Sequence, residues 1–546
     1  MSSLLLVDDN LQLLGLYKTI LEQAGHHVRT ADNRVDAVKL LHQAEPDIVI
    51  TDLRVPELED GLSLIRSVKD RAPDECKPQA KLIVISGWTA DLSDTPEEHS
   101  VDCVLAKPVR LELLLRSISE LALALLLFLF LGTSQALWGE TFRFSVARRA
   151  EVVADLDMSS PGSNWAEPGR EAALAELKLD GRRAQHIMLY GGERPVTYGA
   201  FLGALDAGRH ELRVERSELY SARDSGLKIT TARFREYTAG DPYWAALANA
   251  PILYARANTI GRFTDIPLLT YCERLVENGR PVLQYTVIFS NEDGGTSTRA
   301  LMARWGRATD VEYIYRAWMN ERGNVERSTI QGRDHKEEPF HGRREEEHPV
   351  LIPSTDNNMV SGEGTSPIRY QIPPLAAGLA SHSREQIMDE HPIAYQVMAQ
   401  ELQRERKLRP FATVDGETIS DPRNYLYIEA DVRNRQSGIA AVVRLKGEHR
   451  WFSSHLGRND YAISRDGWVR TTVELPPGTT PDAIEEVGFE CLVASEEKPQ
   501  PLTGTCRVEA VSKIFMLDAG YSPRPVQWKM TAPIEIPTGQ IQTFRP

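Results

Sequence analysis

The chain has 546 residues, of which 42% are hydrophobic, and its formal net charge is −14. This length exceeds that of one domain and predicts roughly three or four, and the apolar content is sufficient for packed cores. The acidic balance, with no basic stripe along the sequence, argues against a nucleic-acid-binding surface.

Four short apolar runs near the start of the chain predict buried strands, and each run ends at polar residues. The runs are 4–7, 48–51, 82–85 and 104–106, and the polar residues after them are Asp8 and Asp9, Asp52, Ser86 and Lys107. Between these runs the apolar residues recur at helical spacing, which predicts helices, and Gly25 ends the first of them. Alternating strands and helices predict an α/β fold with a doubly wound parallel sheet.

The polar strand ends predict a single site, because the carboxyl ends of strands in such a sheet meet at one crevice. Three carboxylates in one place would repel one another without a cation. Mg²⁺ prefers oxygen ligands of this kind. A carboxylate can form an acyl phosphate, and a lysine can pair with the phosphate. The set therefore predicts Mg²⁺ binding and transfer of a phosphoryl group onto an aspartate.

Residues 1–120 resemble the receiver domain of response regulators of the two-component family, in residue type, order and spacing. The resemblance implies a flavodoxin-like fold, with Asp52 as phosphoacceptor and a sensor histidine kinase or phosphotransfer protein as partner. It implies that the Mg²⁺ ligands are Asp8, Asp9, Asp52 and the backbone carbonyl of Arg54. Ser86 and Lys107 would then bind the phosphate.

Two positions depart from the family pattern. The loop after Asp52, residues 55–61, is one residue longer than usual, which a surface loop tolerates. Val104 stands three residues before Lys107, where the family often has an aromatic residue that switches the output. The second departure concerns the output and leaves phosphorylation itself unaffected.

Residues 121–138 form the second informative segment. Residues 121–131 are all Leu, Ala or Phe, and about 18 residues carry no charge, close to the minimum for a spanning helix. The segment predicts either a transmembrane helix or a signal-like sequence, with Ser134 and Ala136 at the small positions of a cleavage site. A helix buried in a soluble fold is the alternative. We expect the receiver in the cytoplasm and the residues after about 140 outside it.

Strand-like alternation dominates from about residue 140 onward. It predicts a β-sandwich over 140–218, a mostly-β domain with a C-terminal helix over 219–405, and a second β-sandwich over 406–546. That helix is predicted over 383–407. Trp451, Trp468 and Trp528 suit either sugar stacking or a core, so a glycan or small ligand is a possible partner.

A faint similarity to necrosis-inducing-type and vacuolar-sorting-like β-sandwich proteins rests on the order of residues 309–313 and 348–352. It implies a divalent-metal site at Asp310, Glu312 and His348. Thr309 and Val311 depart from that pattern. Hydrogen-bonded strand residues are the alternative interpretation of all three side chains.

Cys491 and Cys506 predict either a disulfide, if this region is exported, or two buried thiols. No catalytic serine arrangement or phosphate-binding loop is visible in the sequence after residue 140. Three hypotheses follow: a phosphorelay receiver linked to an extracytoplasmic β region; an exported ligand-binding β protein, with the receiver an accessory or a gene-fusion artefact; and a secreted metal-dependent enzyme.

Overall fold

The computed structural model describes residues 2–44, 46–69, 80–86, 92, 95, 97, 101–107, 109, 111, 113–119, 121, 139–256, 263–292, 294–493, 504–528 and 530–544. The N-terminal part contains a five-stranded sheet in the order β2-β1-β3-β4-β5, and every neighbouring pair is parallel. Its strands are β1 Ser3–Val7, β2 His27–Ala31, β3 Ile48–Asp52, β4 Lys81–Ser86 and β5 Cys103–Ala106. The helices are α1 Leu11–Gln23, α2 Arg34–Ala44 and α3 Leu58–Lys69, and residues 113–119 are also helical.

The helices cover both faces of this sheet. Successive residues of a strand point to opposite faces, so Leu4 and Leu6 pack with α1 and residues 113–119, whereas Leu5 and Val7 pack with α2 and α3. Asn10 caps α1, because its side chain accepts hydrogen bonds from two backbone N–H groups of the first turn. The predicted flavodoxin-like, doubly wound sheet is confirmed.

The rest of the described chain is mostly antiparallel sheet, as predicted. The first pair of sheets has the orders β10-β7-β12 and β6-β11-β8-β9. Its strands are β6 Gly139–Val146, β7 Ala150–Ser159, β8 Leu174–Leu179, β9 Arg182–Met188, β10 Val196–Leu205, β11 Gly208–Arg216 and β12 Lys228–Tyr237. Strand β12 pairs with β7 although it lies beyond residue 218, where the sequence placed the end of this unit.

The second pair of sheets has the orders β18-β17-β16-β15-β14-β23 and β19-β20-β13-β22, with β21 paired to β20. Its strands are β13 Ile252–Tyr254, β14 Pro267–Glu277, β15 Arg280–Phe289, β16 Val311–Met319, β17 Val325–Gly332, β18 Lys336–Pro339, β19 Arg344–Glu345, β20 His348–Pro353, β21 Val360–Ser361, β22 Arg369–Tyr370 and β23 Leu375–Ala377. Four helices accompany them: α4 Trp244–Ala248, α5 Thr298–Trp305, α6 Gln386–Glu390 and α7 Ile393–Arg404.

The last pair of sheets has the orders β27-β24-β29-β30, with β31 paired to β29, and β26-β25-β28-β32. Its strands are β24 Tyr425–Arg435, β25 Ser437–Leu445, β26 Phe452–Ser453, β27 Gly467–Glu474, β28 Ile484–Val493, β29 Thr505–Leu517, β30 Pro523–Pro525, β31 Ile534–Pro537 and β32 Ile541–Phe544. Cys491 on β28 and Cys506 on β29 form a disulfide, which joins the two sheets. Of the two alternatives for these cysteines, the structure has the bonded one.

The prediction of a single helix over 383–407 is wrong, because the structure has two helices there. Helix α6 ends at Glu390 and α7 begins at Ile393, and His391 between them has φ −127° and ψ 73°. Pro392 explains the break, because proline disfavours helical geometry at the residue before it. Its ring also fixes the φ of Pro392, which is −59°, and α7 begins at the next residue.

Among the helices that the structure describes, none is long and apolar enough to cross a membrane. The predicted segment 121–138 lies outside the described residues, apart from residue 121. On either side of that segment, the receiver and the β region touch. Arg116 Nη2 donates to the carbonyl oxygen of Ser221 at 3.0 Å, and Leu219 packs against the core that covers one face of the receiver sheet.

Candidate functional site

The predicted polar residues lie at one edge of the parallel sheet. In register, Val7 is beside Thr51, Asp52 beside Ile85 and Ser86 beside Ala106. The residues at and after these strand ends are therefore neighbours in space as well as equivalent in sequence. The expectation that they converge is met by the strand order β1-β3-β4-β5.

Three carboxylates meet at this edge. Asp8, Asp9 and Asp52 each offer one oxygen, and these three atoms lie within 4.8 Å of one another. Asp8 is buried and accepts a hydrogen bond from the backbone N–H of Asn10 at 2.9 Å, whereas Asp9 is exposed. The site is thus anchored on one side by the start of α1 and open on the other.

Lys107 joins two of these carboxylates. Its Nζ lies 2.7 Å from Asp8 Oδ2 and 2.7 Å from Asp52 Oδ2. Burial lowers the pKa of Lys107, but the hydrogen bonds to Asp52 and Asp8 outweigh burial and raise that pKa overall. The ammonium group is therefore held in its charged form, where it neutralises part of the carboxylate charge.

Ser86 and Arg54 complete the predicted set. Ser86 is buried at the end of β4, and its carbonyl oxygen accepts the backbone N–H of Lys107 at 2.9 Å, which ties two strand ends together. Arg54 follows Asp52 in the loop, and its backbone N–H donates to Asp52 Oδ1 at 3.3 Å. Val104, the position of the expected aromatic switch, is half-buried on β5.

Tyr17 is a neighbour of the site that the sequence did not identify. Burial raises the pKa of its phenol, which also lies within the electrostatic reach of Lys107 and Asp8. In the sequence, Tyr17 is only one of the apolar positions of α1. Its helical spacing indicates burial, but it does not indicate which charged groups lie beyond the ring.

The donor set suits Mg²⁺. Three carboxylate oxygens close together are hard ligands, and their mutual repulsion favours a bound cation. Lysine neutralises only part of that charge, and the exposed carboxylate of Asp9 leaves one side accessible. The residues present therefore fit a divalent cation of this type.

The structure does not bring Asp310, Glu312 and His348 into one group of metal ligands; in the described part of the chain, such a group of three is formed by Asp8, Asp9 and Asp52. His348 begins β20, and its Nδ1 lies 3.0 Å from the carbonyl oxygen of Ala250. Asp310 precedes β16 in a different sheet, and Asn358 Nδ2 donates to its Oδ2 at 2.9 Å. The pKa of Asp310 lies well above its ordinary value, chiefly because burial disfavours the charged form. The neighbouring carboxylates of Glu292, Glu312 and Asp265 raise it further.

The three tryptophans considered for sugar stacking are all half-buried. Trp528 packs against the core of the last sandwich, and Trp468 lies beside the ring of His382. Trp451 lies beneath the guanidinium of Arg444, 5.2 Å from the ring centre. Each of the three rings therefore packs against a different neighbour.

Comparison with known proteins matches residues 4–119 to the response regulator receiver domain. The chain is 30% identical over 128 residues to the response regulator receiver protein CpdR of Brucella abortus, which covers 23% of this chain and 99% of CpdR. It is 40% identical over 88 residues to the virulence transcriptional regulatory protein PhoP of Salmonella typhimurium, which covers 16% of this chain. The chain spans 38% of the length of PhoP.

Among solved structures, response regulator TrrA from Thermotoga maritima, in complex with Mg²⁺ and BeF, is 25% identical, with a TM-score of 0.20. The match covers 22% of this chain and 99% of TrrA. The family match, the near-complete coverage of CpdR and the acidic edge of the parallel sheet agree. Through residues 4–119, the chain belongs to the response regulator receiver family of two-component signalling.

Proposed function

We propose that the receiver accepts a phosphoryl group on Asp52, with Mg²⁺ held by Asp8, Asp9, Asp52 and the backbone carbonyl of Arg54. The observation that carries the proposal is the position of the Asp52 carboxylate, which lies 2.7 Å from Lys107 within a group of three acids. An aspartate carboxylate can form an acyl phosphate, and a neighbouring lysine and a bound cation would hold the phosphoryl group in position for its attack.

The proposed donor is a phosphohistidine on a sensor histidine kinase or phosphotransfer protein. An oxygen of Asp52 forms a bond to phosphorus, and the bond between phosphorus and the donor nitrogen breaks. The electron pair of that bond leaves with the imidazole. Lys107 pairs with the phosphate oxygens and the Ser86 hydroxyl donates to one of them, while bound Mg²⁺ supplies further neutralisation of charge.

The experiment is phosphorylation of the full chain with Mg²⁺ and acetyl phosphate. We expect one phosphate that is stable in acid and labile in base, as an acyl phosphate is, and that does not form when the metal is chelated before the donor is added. Asp52→Asn should abolish it, because the amide oxygen is not a nucleophile of this kind. Asp36→Asn, a change of the same type at an exposed position on α2, should label like the wild type. Equal labelling of Asp52→Asn would remove the assignment.

Two further variants grade the site. Lys107→Ala should impair phosphorylation and the response to it, because two carboxylates 2.7 Å from its ammonium lose their partner. Ser86→Ala should have a smaller effect, because it removes one hydrogen bond and no charge. The order of labelling rates among wild type, Ser86→Ala and Lys107→Ala measures this difference.

We propose further that the receiver is linked to a β region outside the cytoplasm. Two observations support this: the uncharged apolar run before residue 140, and the disulfide between Cys491 and Cys506, since disulfides persist in oxidising compartments. In this arrangement the β region would bind a ligand and the receiver would carry the intracellular phosphate.

A further inference from the structure

Gly61 lies at the end of the first turn of α3, against the backbone that follows the phosphoacceptor strand β3. It is buried, and a Cβ at this position would lie 2.6 Å from the carbonyl carbon of Leu53 and closer still to the carbonyl oxygen. Two carbon atoms in contact lie about 3.5–4.0 Å apart. Any larger residue in place of Gly61 would therefore force either α3 or the backbone of Leu53 to move.

Helix α3 is held in place from two sides. Leu62 and Ile65 are buried in the core that covers one face of the receiver sheet, and the side chain of Leu53 belongs to the same core. On the side of α2, Arg34 Nε lies 3.2 Å from Asp60 Oδ1 and ties down the first turn of the helix. The clash would therefore be relieved chiefly by movement of the backbone after β3.

That backbone is part of the proposed metal site. The peptide bond between Leu53 and Arg54 is planar, so the Leu53 carbonyl and the Arg54 N–H move as one unit. This N–H donates to Asp52 Oδ1 at 3.3 Å. A displaced Leu53 carbonyl would therefore shift the hydrogen bond that orients the Asp52 carboxylate, and it would shift the Arg54 carbonyl one bond further along the chain.

We propose that Gly61 is a positioning residue of the Mg²⁺ site. Its missing side chain leaves room for the peptide between Leu53 and Arg54 to lie where it donates to Asp52. The inference rests on the proposed function, in which the Asp52 carboxylate and the Arg54 carbonyl are two of the Mg²⁺ ligands. Gly61 acts through that peptide, in the way that groups around a metal site orient the groups that bind the metal.

The test is calorimetric titration of the full chain with Mg²⁺ in the absence of a phosphodonor. We expect Gly61→Ala to bind Mg²⁺ roughly 10- to 100-fold more weakly than the wild type, which is the usual loss when the support of a metal ligand is disturbed. Gly15→Ala is the matched control, because Gly15 is an exposed glycine in the first half of α1, where an added Cβ meets open space. It should bind Mg²⁺ like the wild type.

A second readout separates positioning from a general loss of the fold. With acetyl phosphate as donor, the Mg²⁺ concentration for half-maximal labelling should rise in Gly61→Ala, and labelling at saturating Mg²⁺ should fall much less. A variant that is only partly folded would instead label less at saturating Mg²⁺ with an unchanged half-maximal concentration. That result, or wild-type Mg²⁺ affinity in folded Gly61→Ala, would overturn the role of Gly61.

If Gly61→Ala does not fold, the same change in the Arg34→Met background keeps the outcome decisive. The ion pair of Arg34 with Asp60 is half-exposed and contributes little to stability, but its loss lets the first turn of α3 yield. The double variant should bind Mg²⁺ more weakly than Arg34→Met alone, and equal affinities would overturn the proposal. A wild-type chain that binds no Mg²⁺ would overturn the proposed function itself, which is a different result from binding that Gly61→Ala leaves intact.

Discussion

At the scale of single residues, the buried carboxyl of Glu151 makes the stability of the fold depend on pH. It lies on β7 and is buried, and its Oε2 is 3.9 Å from Nε2 of His348. Burial is the main cause that raises the pKa of Glu151 to about 7, and the charge of Glu346 adds to it. The charge of Arg149 acts in the opposite direction. Burial also lowers the pKa of His348, so the histidine is neutral near pH 7 and does not compensate a charged Glu151.

The raised pKa fixes the sign of the pH dependence. The folded form prefers protonated Glu151, so its contribution to stability is complete below the unfolded pKa of 4.5 and is lost as pH rises through about 7. We expect Glu151→Gln to lose less stability than the wild type between pH 5 and pH 8, by on the order of 2 kcal/mol. Urea unfolding of the two proteins across this range measures the difference.

The control for this prediction is Glu140→Gln, an exposed carboxyl on β6 that should follow the wild-type curve. If Glu151→Gln and the wild type lost equal stability across the range, the buried carboxyl would be charged in the fold throughout, contrary to the argument.

Some of these residues could be predicted from the sequence and others could not, and the reason is physical. Asp8, Asp52 and Lys107 could be predicted because a parallel sheet brings equivalent strand ends together. Glu151 could not, because period-2 alternation along β7 shows which face a side chain takes and not what covers that face. Its neighbour His348 is far away in the chain, and only the fold brings the two together.

At the scale of elements, one buried arginine holds α6 to the last pair of sheets. Arg470 on β27 is fully buried, and its two terminal nitrogens bond to Asp389 of α6 at 3.0 and 2.7 Å. It also bonds to Glu429 of β24 at 2.8 Å. Burial acts to raise the pKa of Glu429, but Arg470, Ser383 and Ser512 outweigh it and lower that pKa to about 2.

We expect Arg470→Met to destabilise the β region by about 3–5 kcal/mol, because the fully buried carboxylate of Glu429 loses its guanidinium partner. Asp389 keeps Lys513 Nζ at 2.8 Å. Arg470→Lys should rescue only part of this loss, since an ammonium cannot make the paired bonds of a guanidinium. Arg433→Met, at an exposed position on β24 beside Asp431, should cost less than about 1 kcal/mol. Denaturant unfolding of the three variants checks the order, which a loss in Arg470→Met no larger than in Arg433→Met would contradict.

For helices α6 and α7, the spacing of apolar residues alone does not predict the helix boundaries. Apolar spacing over 383–407 predicts one helix, whereas the chain makes two around Pro392. The spacing of α7 continues that of α6 closely enough to hide the break. Proline chemistry, not hydrophobic period, decides the boundary.

At the scale of the whole molecule, the β region shares one large core. A single cluster of buried residues includes Val146, Tyr271 and Tyr427, one from each pair of sheets. The sequence predicts the presence of mostly-β units, but strand patterns do not show which units pack across one another. The domain limits at 218 and 405 therefore stay predictions. The shared core indicates that the three pairs of sheets stabilise one another.

Two pairs of features favour opposite topologies of the whole chain. The apolar run over 121–131 and the disulfide of the last sandwich favour export of the β region. The hydrogen bond from Arg116 to Ser221 and the packing of Leu219 require both parts on one side of any membrane. A signal could pass through that contact in one compartment, whereas across a membrane it would have to pass through the connecting segment.

From the apolar run and the disulfide we expect export, with the receiver in the cytoplasm. In the exported protein the contact between Arg116 and Ser221 would then be absent. A reporter active only after export, fused behind the last residue, should be active, and a reporter active only in the cytoplasm should be weak at the same point. Leu126→Arg, within the apolar run, should reverse this pattern, because arginine at the centre of a spanning helix costs roughly 2.5–3.5 kcal/mol. Leu16→Arg, at an exposed position on α1, should leave it unchanged. Activity of the cytoplasmic reporter alone in the wild-type chain would place both parts in one compartment, where the contact between Arg116 and Ser221 can form.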